Sequence, residues 1–322
     1  MDEKRSFLQF IKDWMLPLAM TFGAAFYLFY HFLPTLDTAE PIIDRALKEA
    51  QPVLVGIMLF LQFNLISPHD LRPRKWHIWI LLFQAVTFLA FAFWAASMKE
   101  APTKVLVETA MLCIICPTAA ASGVITRKLG GDLPGDMACV VMTNCLAAIL
   151  LPLMLPKVNP SISLSFAAAF FKILTRVFSI LLLPCLAAWI IRFTCKRLQE
   201  RLAKVADWAF YVWGICLAMA IALATKSLVE SHLPLWIIAG IGLISLVSCI
   251  LQFWLGRKIG KRGGRICEIT AGQSLGQKNN GFLIWVCFTF LTPVTSIAGG
   301  LYAIWQNIIN SWELYEHRQA RF

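Results

Sequence analysis

The hexapeptide GQKNNG, residues 276–281, interrupts a strongly apolar part of the chain. The run FLIWVCFTFL follows it directly, and the segment ICEITAGQSL precedes it. Lys278 and three amide side chains therefore stand inside what is otherwise a membrane-helix pattern. Non-helical backbone at membrane depth is tolerated only where it is buried in protein or lines a water-filled cavity. The stretch therefore predicts a broken membrane helix at a functional site.

The composition of the whole chain supports a membrane setting. Of the 322 residues, 59% are hydrophobic and 15% are charged, and the mean hydropathy is +0.69. A soluble domain carries about a quarter charged residues. Apolar runs of about 20 residues, the length that spans a bilayer, recur along the chain. We predict an all-α protein with ten spans and no soluble domain. The spans are expected near residues 13–33, 51–66, 76–97, 104–128, 134–155, 175–192, 205–225, 234–255, 266–289 and 293–311.

The placement of the basic residues indicates that the net charge of +11 reflects membrane topology and is not a sign of nucleic-acid binding. Loops on one side of the predicted spans carry twenty lysines and arginines, and loops on the other side carry six. The positive-inside rule places the basic side and both chain termini in the cytoplasm, here at a bacterial inner membrane. Anionic lipid headgroups on that side are the expected partners of these cations.

The sequence shows no arrangement typical of catalysis or of metal binding. The five histidines are scattered over span ends and loops, and the ten cysteines lie mostly in apolar runs, where cysteine behaves as a small hydrophobe. There is no glycine-rich phosphate loop, no pair of carboxylates and no Ser-His-Asp pattern. We expect neither enzyme activity nor an organic cofactor.

Both halves of the chain contain a break in their fourth span. The ten spans divide into residues 1–156 and 163–322, and an odd number of spans per half suits the inverted repeats of many secondary transporters. In the first half the break reads CPTAAASG, residues 116–123, where Pro117 removes a backbone donor. Paired breaks predict a transport site where the two helices cross, with the second break flanked by glycines for close approach. The candidate residues are Cys116, Pro117, Thr118, Ser122, Gly123, Gly276, Gln277, Lys278, Asn279, Asn280 and Gly281.

Four motifs resemble the bile acid:sodium symporter family. The segment CPTAAASGVITRKLGGD (116–132) is similar to the fourth-helix signature, and GQKNNG to the ninth-helix motif. PVTSIAGGLYAIWQNIINS (293–311) resembles the tenth helix, and NLISPHDL (64–71) the motif that closes the second helix. The resemblance implies two inverted five-helix repeats, with helices 4 and 9 unwound and crossing at mid-membrane between a core and a panel domain. It also implies two sodium sites and a cavity for an organic anion.

The cation sites that the resemblance implies depart from the family pattern. Gln84 and Ser122 match ligand positions, Thr143 and Asn144 lie near fifth-helix positions, and Gly123 replaces an asparagine. Ser274 stands at a glutamate position, and Lys278 at a sodium-binding glutamine. A hard cation prefers oxygen ligands, so these replacements argue against the sodium that the family implies. The cation-site candidates are Gln84, Ser122, Thr143, Asn144, Ser274, Gln277 and Lys278.

Lys278 is instead interpreted as a built-in cation in place of sodium. A buried ammonium costs several kcal/mol unless it is solvated, which marks it as functional. Amide oxygens of Gln84, Asn279 and Asn280, the Ser274 hydroxyl and freed carbonyls are the expected partners. The lysine then serves either a proton-coupled cycle or direct attraction of an anionic substrate.

The predicted function is alternating-access secondary transport of an organic anion, bile-acid-like or a small carboxylate. Two alternatives remain open at this point. One is an arsenite-type or other anion efflux carrier that uses Cys116. The other is a regulatory membrane protein that has kept the fold and lost transport. The sequence leaves the substrate, the direction of transport, the coupling ion and the oligomeric state open.

Overall fold

The regular elements of the protein are helices throughout its described part. The computed structural model describes residues 14–33, 39–99, 103–160, 165–231 and 233–319. The helices are α1 (Met15–His31), α2 (Glu40–Phe63), α3 (Lys75–Ser97), α4 (Lys104–Ile115), α5 (Ala121–Lys128), α6 (Leu133–Val158), α7 (Phe166–Val177), α8 (Leu183–Thr194), α9 (Lys196–Lys204), α10 (Trp208–Val229), α11 (Leu235–Gly260), α12 (Arg265–Gly276), α13 (Asn280–Phe290) and α14 (Ile297–Gln319). Short 3₁₀ helices cover Pro68–Asp70, Lys261–Gly263 and Pro293–Ser296, and a π-helical turn, Phe178–Leu182, joins α7 to α8.

Every predicted span contains helix, and six helices are individually long and apolar enough to cross a membrane. These six are Glu40–Phe63, Lys75–Ser97, Leu133–Val158, Ala167–Thr194, Trp208–Val229 and Leu235–Gly263. The helix α1 is shorter and apolar. The protein is therefore an all-helical integral membrane protein, as the composition indicates. The arrangement of ten spans in two inverted repeats, 1–156 and 163–322, stays a prediction.

Several helices begin or end at residues that differ from the bounds of the predicted spans. The second helix begins at Glu40 rather than near residue 51, because Pro41 suits the first turn of a helix. The sixth begins at Phe166 rather than near 175, since α7 continues through the π turn into α8. The fifth ends at Val158, just past the predicted division of the chain. The charged residues Lys4, Arg5, Lys12 and Arg321, which enter the topology argument, lie outside the described residues.

The outer face of α3 shows the surface that a bilayer requires. Trp79, Leu82, Val86 and Phe93 are between 50% and 58% exposed. They lie along one side of the helix, because positions three, four and seven residues apart share a helix face. A soluble protein rarely leaves so many large apolar side chains in contact with water. This face is therefore suited to contact with lipid.

A glycine seam fixes α12 against α11 and so positions the second break. A Cβ atom added at Gly256 would overlap the backbone of Ala271, and one added at Gly260 would overlap the backbone of Cys267. Small residues let two membrane helices approach this closely. The loop Lys261–Gly263 between them is short, so α11 and α12 form a tight antiparallel pair. This pair positions the buried C-terminal half of α12, where the second break begins.

Candidate functional site

Both predicted helix breaks are present. The helix α4 ends at Ile115, directly before Cys116 and Pro117, and helix resumes as α5 at Ala121. Pro117 cannot donate a backbone hydrogen bond, which explains why the helix stops here. In the second half α12 ends at Gly276, and Asn279 caps the start of α13 by accepting a hydrogen bond from the amide of Phe282 at 3.1 Å. Each break exposes main-chain polar groups that need partners.

The two breaks cross each other as a short antiparallel β-bridge. Thr118 of the first break faces Lys278 of the second. The amide of Ala119 donates to the carbonyl of Gln277 at 3.0 Å, and the amide of Asn279 donates to the carbonyl of Pro117 at 2.9 Å. The main chain of one break therefore satisfies the main chain of the other. We call this bridged region, residues 116–120 and 277–279, the crossing.

Side chains from neighbouring helices complete the hydrogen bonding of the crossing. Gln306 of α14 accepts from the amide of Lys278 at 2.8 Å, and Thr143 of α6 accepts from the amide of Thr118 at 3.0 Å. Gln62 of α2 donates to the carbonyl of Ala120 at 2.8 Å. Three other helices are thereby tied to the two breaks. The predicted candidate Thr143 has a structural task at the crossing.

Lys278 is buried in the crossing, with 1% of its surface exposed. Its Nζ atom donates to the carbonyl oxygen of Ile114, at the last turn of α4, across 3.2 Å. The Nε2 atom of Gln84 donates to the same oxygen at 2.8 Å. Among the described residues no carboxylate lies within ion-pairing distance of the ammonium. Lys278 is therefore held by a freed carbonyl, one of the predicted partners.

The other partners predicted for the ammonium group do not hold it. The side chain of Asn279 caps α13, the hydroxyl of Ser274 donates to Asp136, and Gln84 contributes its amide nitrogen to the shared carbonyl. The Oδ1 atom of Asn280 is buried without a partner among the described residues. Asn279 is held by its own helix end, Gln84 by the end of α4, and Ser274 by a carboxylate that the sequence analysis missed.

Asp136 is that missed residue. It lies in the first turn of α6 and is fully buried. Ser122 of α5 donates to its Oδ2 atom, and Ser274 of α12 donates to its Oδ1 atom, each at 2.6 Å. One carboxyl group thus joins both broken helices. In the sequence Asp136 resembles an acidic residue at a helix start, where it would be solvated. The signal that could have found it is the spacing of seven residues from Thr143, which puts both on one helix face.

The remaining candidates lie around the crossing in different roles. Cys116 is buried, and its Sγ atom donates to the carbonyl of Asn279 at 3.1 Å. Asn144 donates to Val140 of its own helix. A Cβ atom at Gly123 would overlap the ends of the Gln62 and Met137 side chains, so a larger residue there would require these flexible side chains to move.

The two glycines that flank the second break are not equivalent. A Cβ atom at Gly276 would overlap the ring of Phe253, whereas one at Gly281 would lie 3.6 Å from the nearest atom, Nε2 of Gln51. The latter is an ordinary van der Waals contact. The expectation that Gly281 permits close backbone approach is therefore wrong; Gly276 is the closely packed glycine, and its neighbour is the side-chain ring of Phe253.

Gln277 starts a polar chain that leads away from the crossing. Its side chain donates to Gln273, which donates to Glu313 of α14 at 2.7 Å, and Glu313 pairs with Arg257. Glu313 and Arg257 line a cavity of about 460 Å³ at the surface. Gln277 is therefore connected through hydrogen bonds to residues of this surface cavity.

A hard cation needs several oxygen ligands, and three buried side-chain oxygens near the crossing have no hydrogen-bond partner among the described residues: Oε1 of Gln84, Oε1 of Gln277 and Oδ1 of Asn280. The ammonium group of Lys278 stands at the position where the family resemblance implies a sodium-binding glutamine. Each carboxylate oxygen of Asp136 already accepts a hydrogen bond from a hydroxyl group, Oδ2 from Ser122 and Oδ1 from Ser274. Among the described residues no group of three or more His, Cys, Asp or Glu side chains could hold a metal ion. The buried Lys278 ammonium, rather than a lack of oxygen atoms, is what disfavours a sodium ion here.

One small cavity borders the crossing, and a larger cleft adjoins that cavity. The small one, of about 20 Å³, is bordered by Thr118, Ala120, Asn144, Asn279 and residues of α2 and α7. It has room for about one water molecule. The larger cleft, of about 710 Å³, lies between α2 and the joined helices α7 and α8. Cys116 does not line either one.

One comparison with known proteins gives a match. The sequence model of the Sodium Bile acid symporter family matches residues 52–231, more than half of the chain. The matched part includes α3, the first break and Asp136. A search of curated proteins found no match.

Proposed function

This chain belongs to the sodium bile acid symporter family, a family of transporters, and from that membership we propose that it carries an organic anion across the membrane by alternating access. The observation that supports this most directly is the burial of two ionisable side chains, Lys278 in the crossing and Asp136 between the two broken helices. Buried ionisable groups within membrane segments are rare and mark substrate or ion pathways. The substrate class is a bile-acid-like molecule or a smaller carboxylate.

We propose further that Lys278 stands permanently in place of a coupling sodium ion and that Asp136 exchanges the coupling proton. A simple charge count supports this division of roles. With Lys278 protonated and Asp136 ionised, the two side chains sum to zero charge. Adding one anionic substrate and one proton also gives zero.

The half-loaded states carry a net charge. Substrate alone makes the sum negative, and a proton alone makes it positive. An uncompensated charge in an interior of low dielectric constant costs several kcal/mol. The fully loaded and the empty states are therefore the ones able to reorient. A transporter that reorients only when both or neither ligand is bound couples the two fluxes.

The proposed setting is a bacterial inner membrane with both termini in the cytoplasm. The unequal distribution of basic residues supports this orientation. Anionic headgroups of the cytoplasmic leaflet are the proposed lipid partners of the basic loops. Of the loops that carry this charge, the one with Lys261, Arg262 and Arg265 joins α11 to α12.

The experiment uses the full-length protein in liposomes. Taurocholate, whose sulfonate stays ionised, is supplied outside, and uptake is measured with an inward sodium gradient, an inward proton gradient or no gradient. We expect accumulation with the proton gradient and no response to sodium. Protein-free liposomes give the background. Strict dependence on sodium, or no carrier-dependent flux of taurocholate or octanoate under any gradient, would contradict the proposal.

A further inference from the structure

We propose that Arg176 is the residue that binds the anionic group of the substrate, in a cleft that leads to the crossing. The inference rests on the proposed transport of an organic anion and assigns it a binding site. The cleft is the cavity of about 710 Å³ between α2 and α7–α8. Its size falls within the range of about 300–1,000 Å³ typical of small-molecule sites.

The position of Arg176 connects the cleft with the crossing. Arg176 and Ile180 line the large cleft and also line the small cavity that borders Thr118 and Asn279. No other residue borders both cavities in the described part of the chain. An anionic group held by Arg176 would therefore lie at the point where the cleft meets the two broken helices.

Arg176 lacks the protein partners that a guanidinium group usually has. The side chain is half-buried, and its Nε atom is buried without a hydrogen-bond partner among the described residues. Its guanidinium lies 5.5 Å from the ring centroid of Trp285, which fixes the side chain without neutralising it. A planar guanidinium with free donors is suited to bind a carboxylate or sulfonate through two hydrogen bonds.

A second cation reinforces the positive charge of the cleft. Lys172 stands four residues before Arg176, also lines the cleft, and lies 5.9 Å from the ring centroid of Phe290. Like charges at this spacing repel each other on a helix. No ion pair joins either side chain to a carboxylate of the described residues. An anionic ligand would relieve this repulsion.

The rest of the cleft is suited to an apolar molecular body. The wall formed by α2 contributes Pro52, Val53, Gly56, Ile57 and Phe60. On the opposite wall the π turn Phe178–Leu182 interrupts the helix directly after Arg176, and π turns occur frequently at functional sites. Two cations in a mostly apolar cleft match an amphipathic organic anion. We commit to a soluble amphipathic carboxylate or sulfonate as the occupant, rather than to a phospholipid.

The test compares an anion with its neutral derivative. Full-length protein in phosphatidylcholine nanodiscs is titrated with cholate and with cholate methyl ester, and the two dissociation constants are measured. We expect the wild type to prefer cholate about tenfold or more, the usual effect of one charge-assisted contact. Arg176→Gln should bind both compounds equally and Arg176→Lys should keep part of the preference. The matched control Arg201→Gln, on the exposed helix α9, should behave as wild type.

Each other outcome overturns the assignment. A wild type that binds neither compound, or that binds both equally, shows that the cleft does not select anions. Arg176→Gln with an unchanged preference assigns anion selection to another residue. Displacement of cholate by phosphatidylglycerol included in the nanodisc assigns the cleft to lipid headgroups. Binding in nanodiscs and flux in liposomes are separate measurements. Transport that does not depend on Arg176 would refute the binding site and leave the proposed transport function intact. Selective binding of cholate without any flux would refute the proposed transport function and leave the binding site intact.

Discussion

The ammonium nitrogen of Lys278 lies 3.2 Å from the carbonyl oxygen of Ile114, a main-chain atom of the opposite half of the chain. The lysine comes from the second break, and the carbonyl belongs to the last turn before the first break. A cation and the negative end of a helix attract each other. The contact therefore links the charge of Lys278 directly to the geometry of both broken helices.

Replacing Lys278 should remove transport. Lys278→Met keeps the length of the side chain and deletes the charge that balances the substrate or Asp136. We expect uptake of taurocholate into liposomes to fall to background while the protein remains inserted and folded. Lys196→Met, on the exposed face of α9, is the control and should transport normally. Unimpaired uptake by Lys278→Met would show that the lysine has no part in the cycle.

Replacing Asp136 should separate exchange from net transport. In Asp136→Asn the loaded crossing, with Lys278 and one anion, stays neutral, whereas the empty crossing keeps an uncompensated positive charge. We expect the variant to exchange external for internal taurocholate but to lose accumulation driven by a proton gradient. Its control is Glu200→Gln, an exposed carboxylate on α9. Accumulation at the wild-type level would remove Asp136 from proton coupling.

The charge count also predicts that net transport is electroneutral. Loaded and empty crossings both sum to zero, so a membrane potential should do no work on the step that reorients the site. Uptake driven by a fixed proton gradient should be equal, within error, when valinomycin and potassium set the interior positive or negative. A strong dependence on potential would mean that more than one proton accompanies each anion.

The two glycines of the second break should respond differently to replacement by alanine. A methyl group at Gly276 meets the ring of Phe253, and such overpacking costs about 1–3 kcal/mol. Gly281 has space for a methyl group, and alanine in a helix stabilises by about 0.5–1 kcal/mol relative to glycine. Thermal unfolding in detergent should therefore give a lower Tm for Gly276→Ala and an unchanged or higher Tm for Gly281→Ala. Equal shifts would contradict the packing described here.

Membrane orientation is open to a direct test. Reporter domains fused after Pro160 and after Gly263 lie in loops that the charge distribution places on opposite sides of the membrane. We expect the first reporter to be active outside the cytoplasm and the second inside. As the control for expression, the same two truncated chains are fused to a reporter that is active on the other side of the membrane. A cytoplasmic signal after Pro160 would reverse the predicted topology of the first half.

The sequence predicted the crossing better than the chemistry placed in it. Pro117 and the polar residues from Gln277 to Asn280 interrupt apolar runs, so local sequence is enough to locate both breaks. Family membership also followed from motifs and is confirmed by the match to residues 52–231. The sequence analysis did not identify Asp136 as a site residue, because its partners Ser122 and Ser274 come from other helices.

Tertiary packing also decided which flanking glycine matters. Gly276 and Gly281 look alike in sequence, and only the position of Phe253 in α11 distinguishes them. The partners of Lys278 were unpredictable for the same reason. Several residues with amide oxygens lie near Lys278 in the sequence. Which acceptors remain available to its ammonium group depends on where the helix ends lie in the folded protein.

The bridge between Thr118 and Lys278 has a consequence for how such proteins diverge. Its hydrogen bonds use main-chain atoms, so the two broken helices stay joined whichever side chains occupy these positions. Lysine and glutamine codons differ by one nucleotide, and exchanging them at position 278 alters charge without removing the bridge. A change of coupling ion would thus need only a few point mutations and would leave the fold intact.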